Sequence, residues 1–432
     1  NTSCLISFTL NIPGAQKQFP LAKAAYNAGL ETIHSVFAGY IIYEEHHESV
    51  TGNESILVLS YISAKEAKRR AICVESAHPL GRLFDIDIIN PDGLSISRSV
   101  LGFPPRRCML CGDDAKVCAR SQRHAPESLQ EHIITMILNF LAKNDAENSA
   151  SCALRALLYE VSVTPKPGLV DRLGNGSHTD MDFYTFLDST AALAPEFSKL
   201  FQIGWENALE PPSALFEALR LEGMIAETKM FNATHNVNTH KGLIFSLAII
   251  LGALGSLRRN LPLVPIPVNS LTEKCGLIAS FSEMDLHNEN FRSSHGLNCY
   301  KSFQVRGVRG EAADGFPTVI RTALPTLREA IATGLHINDA AAITLLTLIA
   351  ETQDTNMIHR GGKDRANAAR TEAAQLLKLP RDKIAFAAEE LDRVFIAHNL
   401  SPGGCADLLA ITLFLLFLDE KQLITLDKSV PE

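Results

Sequence analysis

Near residue 127 the period of the hydrophobic pattern changes, and this change constrains the fold more than any other feature of the chain. Before it, short apolar runs rich in strand formers are interspersed with helical segments. Residues 5–12 (LISFTLNI) form a strand candidate closed by Pro13-Gly14, residues 19–38 have helical spacing, and residues 56–62 (ILVLSYI) are a second strand candidate. Residues 64–75 are helical, and residues 83–89 and 94–101 flank the turn Asn90-Pro91-Asp92-Gly93 as a predicted hairpin. After residue 127, alanine and leucine recur at helical intervals over 152–162, 183–204, 213–231, 239–259, 318–334, 338–353, 364–378, 383–398 and 402–419. Residues 128–142 read as one helix and the polar stretch 143–151 as the boundary. The prediction is a two-domain chain, mixed α/β over 1–145 and an all-α multi-helix domain over 146–432.

At 432 residues the chain is too long for one small module. Its net charge of −8 argues against a general nucleic-acid binder, so an anionic ligand would need local basic clusters. Nine cysteines, an odd number in so long a chain, point to reduced thiols and a cytoplasmic protein. The start, Asn1-Thr2-Ser3-Cys4, has neither a secretory pattern nor an initiator Met, and is expected to lie inside a longer product. The apolar stretches 242–257 and 408–418 fall short of the ~20 residues of a membrane span and read as buried helices.

In the first module Asp85-Ile86-Asp87 lies in a predicted strand, so both carboxylates share a face while Phe84, Ile86 and Ile88 point to the core. Such a pair can hold Mg²⁺ against a polyphosphate, or can be the solvated face of an edge strand. Cys108-x2-Cys111-x6-Cys118-x5-His124 offers four ligands for Zn²⁺, or is three reduced thiols and a surface histidine. The same stretch carries Arg106, Arg107, Lys116, Arg120 and Arg123 against Asp113 and Asp114, a cluster suited to phosphate.

The runs SFTLNIPG (7–14), GRLFDID (81–87), Ser97-Arg98 and RCMLC (107–111) through Arg123-His124 resemble the apo-citrate lyase phosphoribosyl-dephospho-CoA transferase family over nearly all of residues 5–140. The resemblance implies transfer of a prosthetic group to a serine of the acyl carrier (gamma) subunit of citrate lyase, with release of pyrophosphate. This is nucleotidyltransferase-type chemistry, and a nucleotidyltransferase-like core is compatible with the α/β pattern. Asp85 and Asp87 would bind Mg²⁺, and Arg82, Arg98 and Arg107 the phosphates. The resemblance implies a helical segment ahead of SFTLNIPG, as members usually carry, and the numbered residues begin after it.

In the second module several polar residues conflict with their setting. Asp407 sits in a segment apolar on nearly every side, so it needs a cation, a donor or a raised pKa. Ser401-Pro402-Gly403-Gly404 opens that helix with little bulk, leaving N–H groups for an anion. Asp354 follows the helix 338–353, three residues beyond Glu351, where negative charge opposes the dipole. Arg360-Gly361-Gly362-Lys363 comes next and can supply a counter-charge. Asn238 or Thr239 can cap the next apolar helix, placing His240 and Lys241 at its mouth to meet phosphate. Asp171 closes a rigid TPKPGLVD loop, and Asp180, with Asp182 nearby, can cap the helix after it.

TPKPGLVD (164–171), GSHTDMD (176–182), VNTHKG (237–242), RGEAADGFP (309–317), DTN (354–356), RGG (360–362) and SPGGCADLLA (401–410) resemble the triphosphoribosyl-dephospho-CoA synthase family over about 150–420. Asn236 stands where the family has Gly, and Ser294 where Thr precedes His295-Gly296. The resemblance implies that ATP and 3′-dephospho-CoA give the 2′-(5″-triphosphoribosyl) derivative and adenine. The transition state is oxocarbenium-like, so carboxylates stabilise it and accept the hydroxyl proton. Asp407 or Asp354 is the expected base or Mg²⁺ ligand, with Asp171, Asp180 and Asp182 behind them. His240, Lys241, Arg309 and Arg360, with Ser401, Gly403 and Gly404, are the phosphate candidates.

Together the modules read as a bifunctional transferase that makes a precursor and then attaches it. Two alternatives stay open: the same chemistry serving the malonate decarboxylase carrier protein, and a non-catalytic zinc-stabilised scaffold. Neither nucleic acid nor a membrane is an expected partner.

Overall fold

A computed structural model describes residues 3–14, 17–283 and 300–426; Ser294, His295 and Gly296 lie outside the described residues. The chain forms two compact units, Asn1–Lys143 and Asn144–Glu432. In the first, four strands, β1 (Ser3–Leu10), β2 (Ile41–Ser49), β3 (Gly52–Ser60) and β4 (Phe84–Ile89), make an antiparallel sheet of order β2-β3-β1-β4. Ile6 stands opposite Leu57 and Ile88, and Phe8 opposite Ile86, so one face of the three strands β3, β1 and β4 is mostly apolar, with Ser55 the buried polar exception. Those side chains are buried against α1 (Pro20–Val36), α2 (Ala64–Ala77), and Ile133 and Ile137 farther along the chain. Phe84, Ile86 and Ile88 point into this core as the strand period requires.

In this unit one strand went unpredicted and one expectation fails, both for physical reasons. The edge strand β2 (IIYEEHHES) buries neither face, so it carries no alternation from which it could have been read. The 83–101 hairpin does not form. The turn closes, with Gly93 at φ +80° and its N–H on the Asn90 carbonyl (2.9 Å), but one bridge follows, Ile89 to Ser95, before a 3-10 turn at Ser99–Leu101. The outer edge of β4 is already occupied. From α2, Glu75 Oε1 accepts the Ile86 N–H (3.2 Å) and Lys68 Nζ donates to the Ile86 carbonyl (2.8 Å).

After the short α3 (Ala115–Arg120), one helix, α4 (Pro126–Ser162), ends the first unit and begins the second. The expected polar break at 143–151 is helical. It contains neither Pro nor Gly, Ala146 and Ser149 are fully buried, and Asp145 makes a buried ion pair with Arg258 (2.7 Å).

The second unit is helical: α5 (Phe183–Glu206), α6 (Pro212–Ala233), α7 (Lys241–Asn260), then β5 (Ile266–Pro267), α8 (Val268–Ala279) and α9 (Gly307–Ala313). A π turn, Val319–Ala323, leads into α10 (Leu324–Ala332), where Pro325 has no N–H for a regular ladder. There follow α11 (Ile337–Glu351), α12 (Thr355–Gly361), α13 (Lys363–Leu376), α14 (Arg381–Ala397), α15 (Gly403–Glu420) and β6 (Ile424–Thr425), which pairs in parallel with β5. Although the apolar stretch 242–257 reads as too short for a span, the 20-residue α7 is long and apolar enough to cross a membrane, yet 78% of its most apolar window is buried inside the fold. It packs on α5 so closely that a Cβ on Gly204 would strike the backbone of Gly252.

Candidate active sites

The first unit leaves one sheet face open, and Asp85 and Asp87 stand on it with about half of each side chain exposed (47% and 53%). Cations approach both. Lys68 Nζ is 3.5 Å from Asp87, and Arg106 is 3.4 Å from Asp85. Arg106 also pairs with Glu75, which is 1% exposed at its side chain and holds Arg98 at 3.3 Å. Burial raises the Glu75 pKa, while Arg106, Lys68 and Arg98 oppose that rise. Arg82 donates to the Arg107 carbonyl, and burial together with the Arg106 and Arg98 charges lowers its pKa. The structure thus gathers Arg82, Arg98 and Arg106 beside the two aspartates, whereas Arg107 contributes its backbone to the cluster. Glu75 and Lys68, which hold this arrangement, escaped the sequence reading. Their one signal is two charges seven residues apart on the buried stripe of α2, with Ala71 and Ile72.

Cys108, Cys111, Cys118 and His124 converge, their ligand atoms all within 4.8 Å of one another. Cys111 Sγ is 3.3 Å from Cys118 Sγ, and His124 Nε2 is buried without a hydrogen-bond partner. Burial opposes ionisation of Cys108, but the N–H groups of Cys111 and Leu110 and the neighbouring thiols outweigh it and lower the pKa. The Cys118 thiol, hydrogen-bonded by Cys111 and partly desolvated, is pushed up to about 11. Three thiols around an orphaned imidazole are the donor set of a tetrahedral zinc site.

In the second unit a cavity of about 1550 Å³ collects residues from most of the predicted motifs, among them Asp354, Asp407, Asp180, His240, Lys241, Arg309 and Arg360. Arg306, Glu311, Glu160 and Lys166 line it too. Glu160 and Lys166 form a buried ion pair (2.6 Å) that the sequence reading did not single out, although Glu160 interrupts an apolar stripe beside Leu157 and Val161.

Asp407 opens onto this cavity, and among the described residues no hydrogen bond or ion pair engages its carboxylate. Burial, then the charges of Glu160 and Asp354, raise its pKa well above the carboxylate range. Its Oδ2 lies where a Cβ on Gly242 would come within 2.5 Å, so the glycine opening of α7 makes room for it.

Asp354 is not a misplaced charge at a helix C-terminus. It is the N-cap of α12, with Oδ1 accepting from Asn356 N (2.7 Å) and Met357 N (3.0 Å). Its Oδ2 accepts the Cys405 N–H (2.9 Å) at the start of α15. The anion predicted at that N-terminus is therefore this internal carboxylate. Gly403 and Gly404 serve that approach, since a Cβ on either would crowd Asn356 or Asp354 within 3 Å. The oxygens of Asp354 are thus engaged by backbone, which weakens it as a base or Mg²⁺ ligand.

The other candidates separate. Asp171 takes N–H bonds from Lys166, Leu173 and Gly174 and does not line the cavity. Asp182, rather than Asp180, caps α5 through a capping box with Thr185; Thr185's backbone N–H and hydroxyl lower its pKa. Asp180 lines the cavity, 59% exposed at its side chain and 3.5 Å from His178. His178 in turn meets Ser401 Oγ (2.8 Å). Arg360 spends its donors on Ser177 and on Asn399 (2.6 Å to Oδ1), clamping two loops together. Lys241 pairs with Glu227 (2.9 Å), and its N–H is capped by Asn238.

His240 overturns its expected role as a cationic phosphate ligand. It is 2% exposed, its Nδ1 meets Ser189 Oγ (2.7 Å), and burial followed by the Lys166 charge lowers its pKa to about 3, so it is neutral. Asn236 adopts φ +68°, a conformation natural to Gly and tolerated by Asn, so the departure at that position is accommodated.

Comparison with known proteins follows this division. Residues 146–425 match the family model of ATP:dephospho-CoA triphosphoribosyl transferase (CitG), and residues 1–140 that of apo-citrate lyase phosphoribosyl-dephospho-CoA transferase (CitX). The chain is 35% identical to Protein CitXG of Haemophilus influenzae, covering 95% of this chain and 90% of that one. It is 34% identical to Protein CitXG of Leuconostoc mesenteroides subsp. cremoris, covering 96% and 91%. Over 62% of this chain and 95% of the relative, it is 41% identical to a probable 2-(5″-triphosphoribosyl)-3′-dephosphocoenzyme-A synthase of Streptococcus mutans.

Proposed function

We propose how two sites share the work in this chain, which belongs to the CitG family over its larger unit and to the CitX family over its smaller one. It is a bifunctional transferase of citrate lyase prosthetic-group biosynthesis. The larger unit converts ATP and 3′-dephospho-CoA into 2′-(5″-triphosphoribosyl)-3′-dephospho-CoA and adenine. The smaller unit transfers the prosthetic group to a serine of the citrate lyase acyl carrier subunit and releases pyrophosphate.

The observation that carries the residue assignment is the large cavity with an unpartnered acid in its wall. Its volume, about 1550 Å³, exceeds that of a pocket for one drug-sized ligand and suits two nucleotide substrates. The 2′-hydroxyl of dephospho-CoA attacks the anomeric carbon of ATP, the bond to adenine breaks, and the triphosphate stays on the sugar. Burial and the charges of Glu160 and Asp354 favour the protonated form of Asp407; that form gives its proton to the departing adenine, and the cationic sugar beside it then favours the carboxylate. As that carboxylate it stabilises the oxocarbenium-like centre and accepts the hydroxyl proton. Arg306, Arg309 and Lys241 take the triphosphate. Neutral His240 and the Glu160–Lys166 pair shape the interior. Mg²⁺ bound to the triphosphate would neutralise its charge, and Asp407 or the exposed Glu351 of the same wall would offer it a carboxylate.

The smaller unit reads as nucleotidyltransferase-like. Asp85 and Asp87 offer hard oxygen ligands to Mg²⁺ on an open face, and Arg82, Arg98 and Arg106 receive the pyrophosphate. The Cys108, Cys111, Cys118 and His124 donors suit Zn²⁺. The eight described cysteines are all free, which supports a reducing, cytoplasmic setting.

Adenine release from ATP, dependent on dephospho-CoA and Mg²⁺, tests the first step. Intact-mass measurement of the carrier protein tests the second. Absence of adenine from active-site-saturating ATP and dephospho-CoA would overturn the synthase assignment, and labelling of the malonate decarboxylase carrier alone would reassign the acceptor.

A further inference from the structure

The stretch 101–125 poses a folding problem. It contains a helix, α3, capped by Asp114, a bridge between Arg107 and Asp114, and a glycine turn at Gly112. Yet within it Cys118 alone is buried, and only Met109 leans on the core of the first unit. One buried thiol and one half-buried methionine do not offset the conformational entropy of ordering so long a stretch. The four converging donors, with His124 Nε2 orphaned among them, supply what is missing: a metal crosslink.

The crosslinked stretch leads directly to the arginine cluster. Arg106 lies two residues before Cys108, and its carbonyl accepts the Ala115 N–H (2.9 Å) while Cys108 N–H bonds to the Asp113 carbonyl (2.6 Å). Those bonds fix the backbone from which the Arg106 guanidinium reaches Glu75 and Asp85. The Arg107 carbonyl, in the same fixed turn, holds Arg82. Arg82, Arg98 and Arg106 are like charges held close together around one carboxylate, an arrangement that favours a polyanion.

We propose that the Cys108–Cys111–Cys118–His124 site is a zinc clip that positions Arg106 and Arg82 against the Asp85 face, so that zinc occupancy controls transfer to the carrier and leaves adenine release untouched. The proposal rests on the reading of the Asp85 face as the transfer site. Every residue of the cavity described above belongs to 144–432, so the synthase step draws on none of these ligands.

The test uses the full chain and the variant Cys111→Ser, which removes an exposed ligand. Metal analysis should find about one zinc per wild-type chain, and Co²⁺ exchanged into it should give the thiolate-to-metal absorption and intense visible bands of a tetrahedral site. In Cys111→Ser the zinc is lost and hydrogen exchange across 101–125 accelerates. Transfer from preformed triphosphoribosyl precursor should fall at least about tenfold, while adenine release, which also reports that the protein is folded, changes by less than about twofold. Stripping zinc from the wild type with a zinc-selective chelator, followed by assay in excess Mg²⁺, should reproduce this pattern, and added zinc should reverse it. Wild-type protein that takes up neither zinc nor cobalt overturns the clip. Zinc-free protein that transfers at the wild-type rate overturns the control. Asp85→Asn separates the premise: if that variant transfers normally, the Asp85 face is not the transfer site, whatever the metal does.

Discussion

The two units handle acidic side chains in opposite ways. On the open sheet, Asp85 and Asp87 face solvent and are met by cations at 3.4–3.5 Å, so their charges cost the fold little. In the helical unit Asp354 is buried and Asp407 is half-buried in a cavity wall, and each needs its own solution. Asp354 is satisfied by three backbone N–H groups, which makes it a structural joint. Asp407 has no protein partner among the described residues, which is why the proposed function gives it the reactive role. Burial alone therefore does not single out a candidate acid; a carboxylate facing a cavity without partners does.

The sharpest way to break this comparison is a crossover. Asp407→Asn should lower adenine release by about 10²–10⁴-fold, the usual weight of a positioned acid or base, and leave transfer from preformed precursor unchanged. Asp87→Asn should do the reverse by a similar factor, through lost metal and phosphate positioning. Separate assays of the two half-reactions decide; a variant that impairs both steps equally would erase the distinction.

The contrast between these two acids has a stability signature. Asp354→Ala should destabilise by about 1–3 kcal/mol in urea unfolding, because it removes a helix cap and strands the Cys405 N–H. Asp407→Asn should be at least as stable as the wild type near neutral pH. The raised folded pKa of Asp407 means that its stabilising contribution is present below the ordinary carboxylate value and lost as pH rises through the folded one. A thermal melting profile against pH should show that decline in the wild type and not in the variant.

His240 runs the other way. With its pKa lowered from 6.5 to about 3, its contribution is present above 6.5 and lost as pH falls toward 3. The loss should be about 1.4 kcal/mol per pH unit, and His240→Gln should remove that slope from denaturation curves measured between these limits. Smallest of all should be Asp85→Ala, whose unfolding free energy should stay within about 0.5 kcal/mol of wild type. A larger change would mean that the open-face aspartates are structural after all.

Much of the fold was legible because burial writes its period into a sequence. β1, β4 and the long helices were found where apolar residues repeat at two or at three to four positions. β2 was not, since an edge strand solvated on both faces has no pattern to display. The helix through 143–151 was hidden for a related reason: Asp145 looks like a linker residue until Arg258, 113 residues away, is placed beside it. Among candidate site residues, Asp407 was legible as a charge in an apolar helix. Asp354 was misread because its helix, α12, is too short to announce itself.

The sequence by itself determined the two-part architecture, the families and the short list of acids, arginines and thiols, because these depend on local period and on residue type. Tertiary structure alone decided their roles. It made Asp354 a cap, His240 a neutral imidazole and Glu75 an anchor for arginines, while leaving Asp407 without a partner. The reason is that a side chain's charge state and duty depend on what surrounds it in space. Those neighbours come from elements tens to hundreds of residues apart, a separation that no sequence window spans.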